Sequence, residues 1–164
     1  MMFDQSTGEM EFDTGFKAST RLVLDDVIRK ALVDKCGYRL REVVLFGFGQ
    51  GGMVALNVAA GLGKEELGGV VSIGGILPSQ APLPPIGQKH KTPVIVCKGG
   101  RNSAVTSGAV QRLKDFFDFV EVKEWKKNGD GMPSSRDEML PIMQFFARRL
   151  RSVRGVPKGS VELT

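Results

Sequence analysis

Histidine, cysteine and tryptophan are scarce in this chain of 164 residues, which holds one histidine, two cysteines and one tryptophan. Two cysteines cannot form a disulfide framework, and a single histidine without a Cys-x-x-Cys spacing offers no metal-binding motif. Cys36 ends a helical pattern and Cys97 lies in an apolar run. We therefore expect two small buried cysteines in a reducing compartment, no bound metal and no cofactor.

The start of the chain also lacks the basic and apolar segments of a secretory signal peptide. Two segments of membrane-span length carry no charge, but residues 43–63 hold six glycines and residues 68–88 hold four prolines. Such segments are typical of buried strands, turns and loops rather than of a lipid-exposed helix. The expectation is a cytoplasmic protein without a membrane span.

Basic residues outnumber acidic ones, which gives a net charge of +5. Much of the excess lies near the C-terminal end, at Arg148, Arg149, Arg151, Arg154 and Lys158. Cations suit the C-terminal end of a helix, although a surface for nucleic acid or an anionic membrane would also account for them. No aromatic side chains alternate with these arginines as stacking platforms. We therefore favour a solvated helix end and predict no nucleic-acid partner.

A glycine-rich turn is the most informative segment of the chain. Residues 43–46 are apolar, residues 47–52 contain four glycines, and small and apolar residues then follow at helical spacing. The apolar run predicts a buried parallel strand, and the glycines allow a sharp turn into a helix that packs back on the sheet.

Apolar runs alternate with helical patterns along the rest of the chain. Strands are predicted over residues 43–48, 69–74, 93–97 and 119–125, and helices over 14–36, 51–62, 107–118 and from 135 onward. This alternation predicts an α/β fold of three layers, with a mostly parallel sheet of about four strands and flanking helices. We expect a flexible lead-in over residues 1–13, the folded domain over 14–152 and a basic flexible tail over 153–164.

Helical periodicity also predicts which side chains face the core. The first helix is expected to bury Val27 and Ile28, and the last helix is expected to bury Leu140, Met143 and Leu150 among its apolar residues. The last predicted strand alternates valine with charged residues, which is typical of a strand near a sheet edge.

Three motifs resemble those of the phospholipase/carboxylesterase family of α/β-hydrolases, the group that includes acyl-protein thioesterases. The turn at residues 47–52, Gly-Phe-Gly-Gln-Gly-Gly, is similar to the family's G-F-S-Q-G-G. Residues 92–99, Thr-Pro-Val-Ile-Val-Cys-Lys-Gly, are similar to its T-P-V-x-x-x-H-G strand exit. Residues 129–132 precede the last helix, where the family has its catalytic histidine. The resemblance covers roughly residues 14–152 and implies the back part of an α/β-hydrolase fold.

The resemblance also implies that the catalytic triad is missing. It carries the nucleophile onto Gly49, the acid onto Asn102 and the base onto Met132, and none of these side chains can perform its role. The loop over residues 126–136 contains no histidine in any register. What the resemblance leaves is the backbone N–H of Gln50, an oxyanion-hole donor. It also leaves the elbow turn, formed by Gly47, Gly51 and Gly52.

The elbow strand of this family lies in the middle of the sheet, with several strands before it. Here about forty residues precede Val43, and they are typical of one helix. The strand from Val43 to Phe48 is therefore expected to leave an open edge. The chain is then the back part of a longer protein, or a protein partner or second copy covers the edge, or the fold has rearranged.

These observations favour a catalytically disabled hydrolase relative that binds an acyl or small carbonyl ligand or serves as a scaffold. One alternative is an active carboxylic-ester or thioester hydrolase with a non-standard site. A second is a nucleotide-binding domain, because Gly47, Gly49 and Gly52 match the spacing G-x-G-x-x-G. That fingerprint expects an acidic residue at the end of the next strand, where residues 72–75 have none.

Other candidate residues have simpler interpretations. His90 is expected to be a solvated loop residue, and Asp130 is expected to serve turn chemistry at the mouth of the site. Ser134 and Ser135 are expected to be helix caps rather than nucleophiles. Trp125 and Met132 would suit an acyl-binding groove, although edge-strand packing explains such residues equally well.

Overall fold

A computed structural model describes residues 16–79, 81 and 84–150 of the chain. The predicted lead-in, 1–13, and tail, 153–164, lie outside the described residues. The helices are α1 (Leu22–Lys35), α2 (Gln50–Ala60), α3 (Ser107–Phe116) and α4 (Arg136–Arg149), and a short 3₁₀ turn covers Leu40–Glu42. The strands are β1 (Val44–Phe48), β2 (Gly69–Ile73), β3 (Val94–Lys98) and β4 (Val120–Glu124).

The strands form one parallel sheet in the order β1-β2-β3-β4. The register pairs Val44 with Gly69, Val70 with Val94, and Val94 with Val120. This confirms the predicted α/β fold with a parallel sheet of four strands and flanking helices. Because all strands are parallel, their carboxyl ends meet at one end of the sheet, and the loops that follow them meet there too.

Helices cover both faces of the sheet, which explains why β2 and most of β3 are buried on both sides. Val70, Val94 and Val96 belong to a hydrophobic cluster shared with α1, α2 and α3. Val71 and Ile95, the alternate residues, belong to a second cluster shared with α4. This division follows from the two-residue period of a strand, which sends successive side chains to opposite faces.

The residues before α3 and α4, Thr106 and Ser135, cap these helices with their side chains. The Thr106 hydroxyl accepts a hydrogen bond from the Ala109 N–H at the start of α3. The Ser135 hydroxyl accepts one from the Glu138 N–H at the start of α4, as expected for a cap. The Glu138 carboxylate accepts a hydrogen bond from the Ser134 N–H at 2.8 Å.

Two predicted core faces are wrong in part. Val27 is 47% exposed, because α1 is wound as a π-helix and its buried face does not follow the 3.6-residue period. On α4, Leu140, Met143 and Leu150 are exposed, because the helix buries a narrower stripe centred on Ile142 and Phe145. Among the described residues, no helix combines the length and the apolar character that crossing a membrane requires.

The prediction of two buried cysteines is wrong for Cys36, which is exposed just after the last turn of α1, and right for Cys97 in β3. Burial raises the pKa of the Cys97 thiol to about 12, and the charge of Lys123 offsets this only in part.

We expect a thiol-reactive disulfide reagent at about pH 8 to label Cys36 in the folded protein and to leave Cys97 unlabelled. Thiolate is the reacting species, and the raised pKa of Cys97 keeps it protonated at that pH. Absorbance titration should count one thiol in buffer and two in denaturant, and Cys36→Ser should react only in denaturant. Rapid labelling of native Cys36→Ser would contradict the burial of Cys97.

Candidate active site at the elbow

The turn between β1 and α2 has the geometry of a nucleophile elbow. Gly49 has φ 56° and ψ −119°, a backbone conformation that favours glycine. Its N–H donates a hydrogen bond to the Ile73 carbonyl at 2.8 Å, and its own carbonyl accepts one from the Met53 N–H at 3.2 Å. These bonds join the turn to β2 and to α2, so the chain reverses sharply with Gly49 at the apex.

Close packing explains two of the turn glycines, against backbone at Gly47 and against a side chain at Gly52. A Cβ on Gly47 would overlap the carbonyl of Gly51, and a Cβ on Gly52 would overlap the hydroxyl of Ser72. A Cβ on Gly49 or Gly51 would meet nothing within 4 Å. The spacing that suggested a dinucleotide fingerprint therefore has a packing explanation at Gly47 and Gly52 that needs no nucleotide.

The first turn of α2 presents backbone donors at this site. Gln50 begins the helix and is exposed, and no side chain among the described residues caps the helix N-terminus. The first N–H groups of a helix have no intrahelical acceptor, and the helix dipole places partial positive charge there. An oxygen atom of a ligand is the acceptor that this turn fits.

Asp130 joins two of the loops at the carboxyl end of the sheet. Its carboxylate accepts hydrogen bonds from the Gly99 N–H at 2.9 Å, the Ser103 hydroxyl at 2.5 Å and the Ala104 N–H at 2.8 Å. Partial burial opposes its ionisation, but these bonds and the charge of Lys98 outweigh that effect and lower the pKa of Asp130. The carboxylate thus ties the loop after β3 to the loop after β4.

Asp130 also lies close to the elbow. A Cβ on Gly74 would lie 2.5 Å from the Cβ of Asp130, and a Cβ on Gly75 would lie 2.8 Å from the carbonyl oxygen of Gly49. Gly74 and Gly75, which follow β2, therefore lie between Asp130 and Gly49, and they fill that space with backbone atoms and no side chain. The sequence indicated a turn role for Asp130, and its link to the preceding loop is a long-range contact that the local pattern did not reveal.

The two other triad positions lie in the loops that Asp130 joins. Asn102 is exposed and has φ 55°, the one positive φ of a non-glycine residue among the described residues. Met132 is 44% exposed. Its carbonyl accepts a hydrogen bond from the Lys127 ammonium at 2.5 Å. Both positions therefore follow strands at the elbow end of the sheet, in the order that the family resemblance implies.

His90 is not the solvated residue that the sequence predicted. It is 5% exposed, and its ring packs on Phe117 with 5.4 Å between ring centroids. The backbone N–H of His90 donates a hydrogen bond to the Phe116 carbonyl, and the backbone carbonyl of His90 accepts one from the Asp118 N–H. This pairing draws the segment before β3 into the sheet at the amino end of the strands. His90 therefore lies at the end opposite Gly49, where it cannot act as a displaced catalytic base.

Trp125 is buried and donates its indole N–H to the Gly131 carbonyl at 2.9 Å. This favours its interpretation as a packing residue of the edge strand over an open acyl groove. Lys127 lies over the Trp125 ring and forms an ion pair with Glu138 at 3.0 Å. Together these contacts hold the loop after β4 against the start of α4.

The strand that leads into the elbow is an edge strand. Among the described residues β1 pairs only with β2. Phe46 and Phe48 are 41% and 52% exposed, and the Phe46 ring stacks on Phe146 of α4 with 6.2 Å between centroids. The buried strand expected from the apolar run is therefore buried on one side only.

Comparisons with known proteins agree with this geometry. The family model described as phospholipase/carboxylesterase matches residues 2–150. An uncharacterized hydrolase of Schizosaccharomyces pombe, C9G1.08c, is 30% identical over an alignment 164 residues long, which covers 99% of this chain and 66% of that protein. The chain thus spans just under two thirds of the length of this relative.

Solved structures show the same fold. SOBER1 from Arabidopsis thaliana aligns with a TM-score of 0.64 and 23% identity, over 92% of this chain and 68% of that chain. A phospholipase/carboxylesterase from Dyadobacter fermentans aligns with a TM-score of 0.57 and 21% identity, over 79% of this chain and 62% of that chain. The elbow, the strand order and the family match lead to one conclusion: the chain belongs to the phospholipase/carboxylesterase family of α/β-hydrolases.

Proposed function

We propose that this chain is a non-catalytic member of its family, whose elbow binds an acyl or small carbonyl ligand without cleaving it. The observation that carries the proposal is Gly49, which keeps the backbone conformation of an elbow, φ 56° and ψ −119°, and offers no side chain. The donor is the N–H of Gln50 in the uncapped first turn of α2.

The expected lack of hydrolysis follows from the groups that an ester hydrolase needs. A nucleophile requires a base to take its proton and an acid to orient that base, and the three act as a unit. The family positions hold Gly49, Asn102 and Met132, and the single histidine lies at the other end of the sheet. A carbonyl bound at the elbow is therefore polarised by backbone donors but meets no attacking group among the residues that the structure describes.

We expect the unaltered chain to hydrolyse aryl esters and acyl thioesters no faster than buffer. The triple variant Gly49→Ser, Asn102→Asp, Met132→His should gain turnover of about tenfold to a hundredfold and should label with a fluorophosphonate probe. A serine side chain has room at Gly49 because its Cβ meets nothing within 4 Å. Strain at that φ should cost about 1–3 kcal/mol of stability.

Gly51→Ser is the matched control, because Gly51 lies in the same turn with equal space around its Cβ. This variant should remain inactive and unlabelled. Binding is tested separately by nuclear magnetic resonance. Octanoate is titrated into ¹⁵N-labelled protein, and the amide resonances of Gln50 and Gly51 are followed. Turnover by the unaltered chain, abolished by changing another side chain near the elbow, would support the alternative of an active hydrolase with a non-standard site.

A scaffolding role through the β1 edge is the second candidate, with a second copy of this chain as the partner. Val44–Phe48 contains no charged residue and no proline, the features that usually discourage pairing between exposed edges. Two copies of β1 would pair in an antiparallel sense about a twofold axis, which extends the sheet across both molecules. The exposed Phe46 and Phe48 would then lie in the interface.

We expect sedimentation to detect a dimer, and Phe48→Lys to raise its dissociation constant at least about tenfold by placing charge at the edge. Phe119→Lys is the control, because Phe119 is similarly exposed, at 57%, and precedes β4 at the opposite edge of the sheet. A monomer at all concentrations, or equal loss in both variants, would contradict self-pairing through β1.

A further inference from the structure

A cavity of about 620 Å³ lies at the amino ends of the strands, opposite the end that carries the elbow. Gly68, Pro93 and Phe119, the residues immediately before β2, β3 and β4, line it. We call it the basic cavity and define it by its five cations and one aromatic ring: Arg39, Arg41, Lys91, Phe119, Arg148 and Arg149. Its volume is in the range of small-molecule sites.

The guanidinium groups of three arginines in the basic cavity have no acidic partner in the part of the chain that the structure describes. Arg148 forms an ion pair with Glu121 at 2.6 Å, and Lys91 forms one with Asp118. Among the described residues, no carboxylate lies within ion-pair distance of the other three cations, Arg39, Arg41 and Arg149. Two acidic residues, Glu42 and Glu66, also line the cavity. Basic residues still outnumber acidic ones in its lining by five to two.

The guanidinium of Arg149 provides an independent observation. Its Nε–H is buried and has no hydrogen-bond acceptor among the described residues. A buried donor without an acceptor costs about 1–3 kcal/mol, and such groups are uncommon in folded proteins. An acceptor atom of a ligand in the cavity would remove this cost.

The end of a helix does not explain the whole cluster. Arg148 and Arg149 are in the last turn of α4, where cations are favourable because of the helix dipole. Arg39 and Arg41 come from the segment before β1, which is more than a hundred residues away in the chain. Two separate segments therefore bring arginines to the same cavity.

We propose that the basic cavity binds a phosphorylated small molecule. Arginine is suited to phosphate because its planar guanidinium donates two parallel hydrogen bonds and stays charged at all physiological pH values. Arg39, Arg41 and Arg149 bind the phosphate oxygens. Phe119, which is 57% exposed, provides an apolar face on which an aromatic ring of the ligand, such as the adenine of ADP, would stack.

The test is calorimetric titration of the full chain with inorganic pyrophosphate and with ADP. The double variant Arg39→Gln, Arg41→Gln should raise the dissociation constant of both at least about tenfold. Arg149→Lys keeps the charge but removes the Nε donor, and it should weaken binding by about tenfold. Phe119→Ala should reduce the affinity for ADP to that for pyrophosphate.

Two controls distinguish binding in the basic cavity from attraction to surface charge and from binding at the elbow. Arg136→Gln with Lys126→Gln removes the same charge from exposed residues that do not line the cavity, and it should change affinity less than about twofold. Gly49→Ser should leave ADP binding unchanged, since the elbow lies at the other end of the sheet. Absence of binding by both probes, equal loss in the charge-matched control, or loss with Gly49→Ser would overturn the proposal.

Discussion

Replacing Asp130 by asparagine is expected to lower the free energy of unfolding by about 2–4 kcal/mol at neutral pH. The carboxylate accepts three hydrogen bonds, from the Gly99 N–H, the Ser103 hydroxyl and the Ala104 N–H. Bonds to a charged acceptor contribute about 1.5–3 kcal/mol each when buried, and partial exposure of Asp130 reduces the total. Urea unfolding followed by circular dichroism measures the change.

The pH dependence of stability is a second test of the hydrogen bonds that Asp130 accepts. The pKa of Asp130 is lowered in the folded state, so its stabilising contribution is complete above the unfolded pKa, about 3.9, and is lost as the pH falls through the folded value. The difference between the natural chain and Asp130→Asn should therefore shrink below about pH 4.

Asp34→Asn is the control for Asp130, because Asp34 is an exposed carboxylate near the end of α1. It should change stability by less than about 0.5 kcal/mol. If both variants lose the same stability, or if the loss for Asp130→Asn persists unchanged in acid, Asp130 does not tie the two loops together.

Gly47→Ala is expected to prevent stable folding, or to cost at least about 3 kcal/mol. The new Cβ would overlap the carbonyl group of Gly51 and the N–H of Gly52, which are backbone atoms and cannot rotate away. Relief of the overlap requires α2 to move from β1, and the hydrophobic cluster that includes Ala55 and Leu56 would open. Far-ultraviolet circular dichroism and urea titration report the loss.

Gly51→Ala is the matched variant for this prediction. A Cβ there meets nothing within 4 Å, and Gly51 lies in the first turn of α2. Alanine has a higher helix propensity than glycine, so this variant should be neutral or more stable by up to about 1 kcal/mol. Similar stability of the two variants would mean that the elbow is not closely packed at Gly47.

The strands were predictable because a parallel strand between two helical layers must be apolar on both faces. The run 69–73 is such a strand, and its five residues are all buried. The same rule predicted a buried strand from the apolar run 43–46, but Phe46 is exposed in the structure. Local pattern shows that a strand is apolar, but the neighbours that cover it come from elsewhere in the chain.

The candidate site also has features that follow from local sequence and features that depend on distant residues. The elbow follows from a local sequence in which Gly47 and Gly52 permit close backbone contact, so the turn motif was sufficient to place it. The hydrogen bonds of Asp130 join residues 26–31 positions apart. His90 was misassigned for a similar reason, since its burial depends on pairing with Phe117. Contacts of this range depend on strand order, which no local pattern encodes.

The tight contact at Gly47 and Gly52 has an evolutionary consequence. The shape of the elbow is maintained by residues on either side of its apex, and the space beside the apex is open, so a serine there would strain its own backbone without displacing its neighbours. Half of the glycine codons are one base away from a serine codon. A single base change in either of those two codons would therefore place a hydroxyl at the apex, while the packing at Gly47 and Gly52 would still shape the turn that displays it.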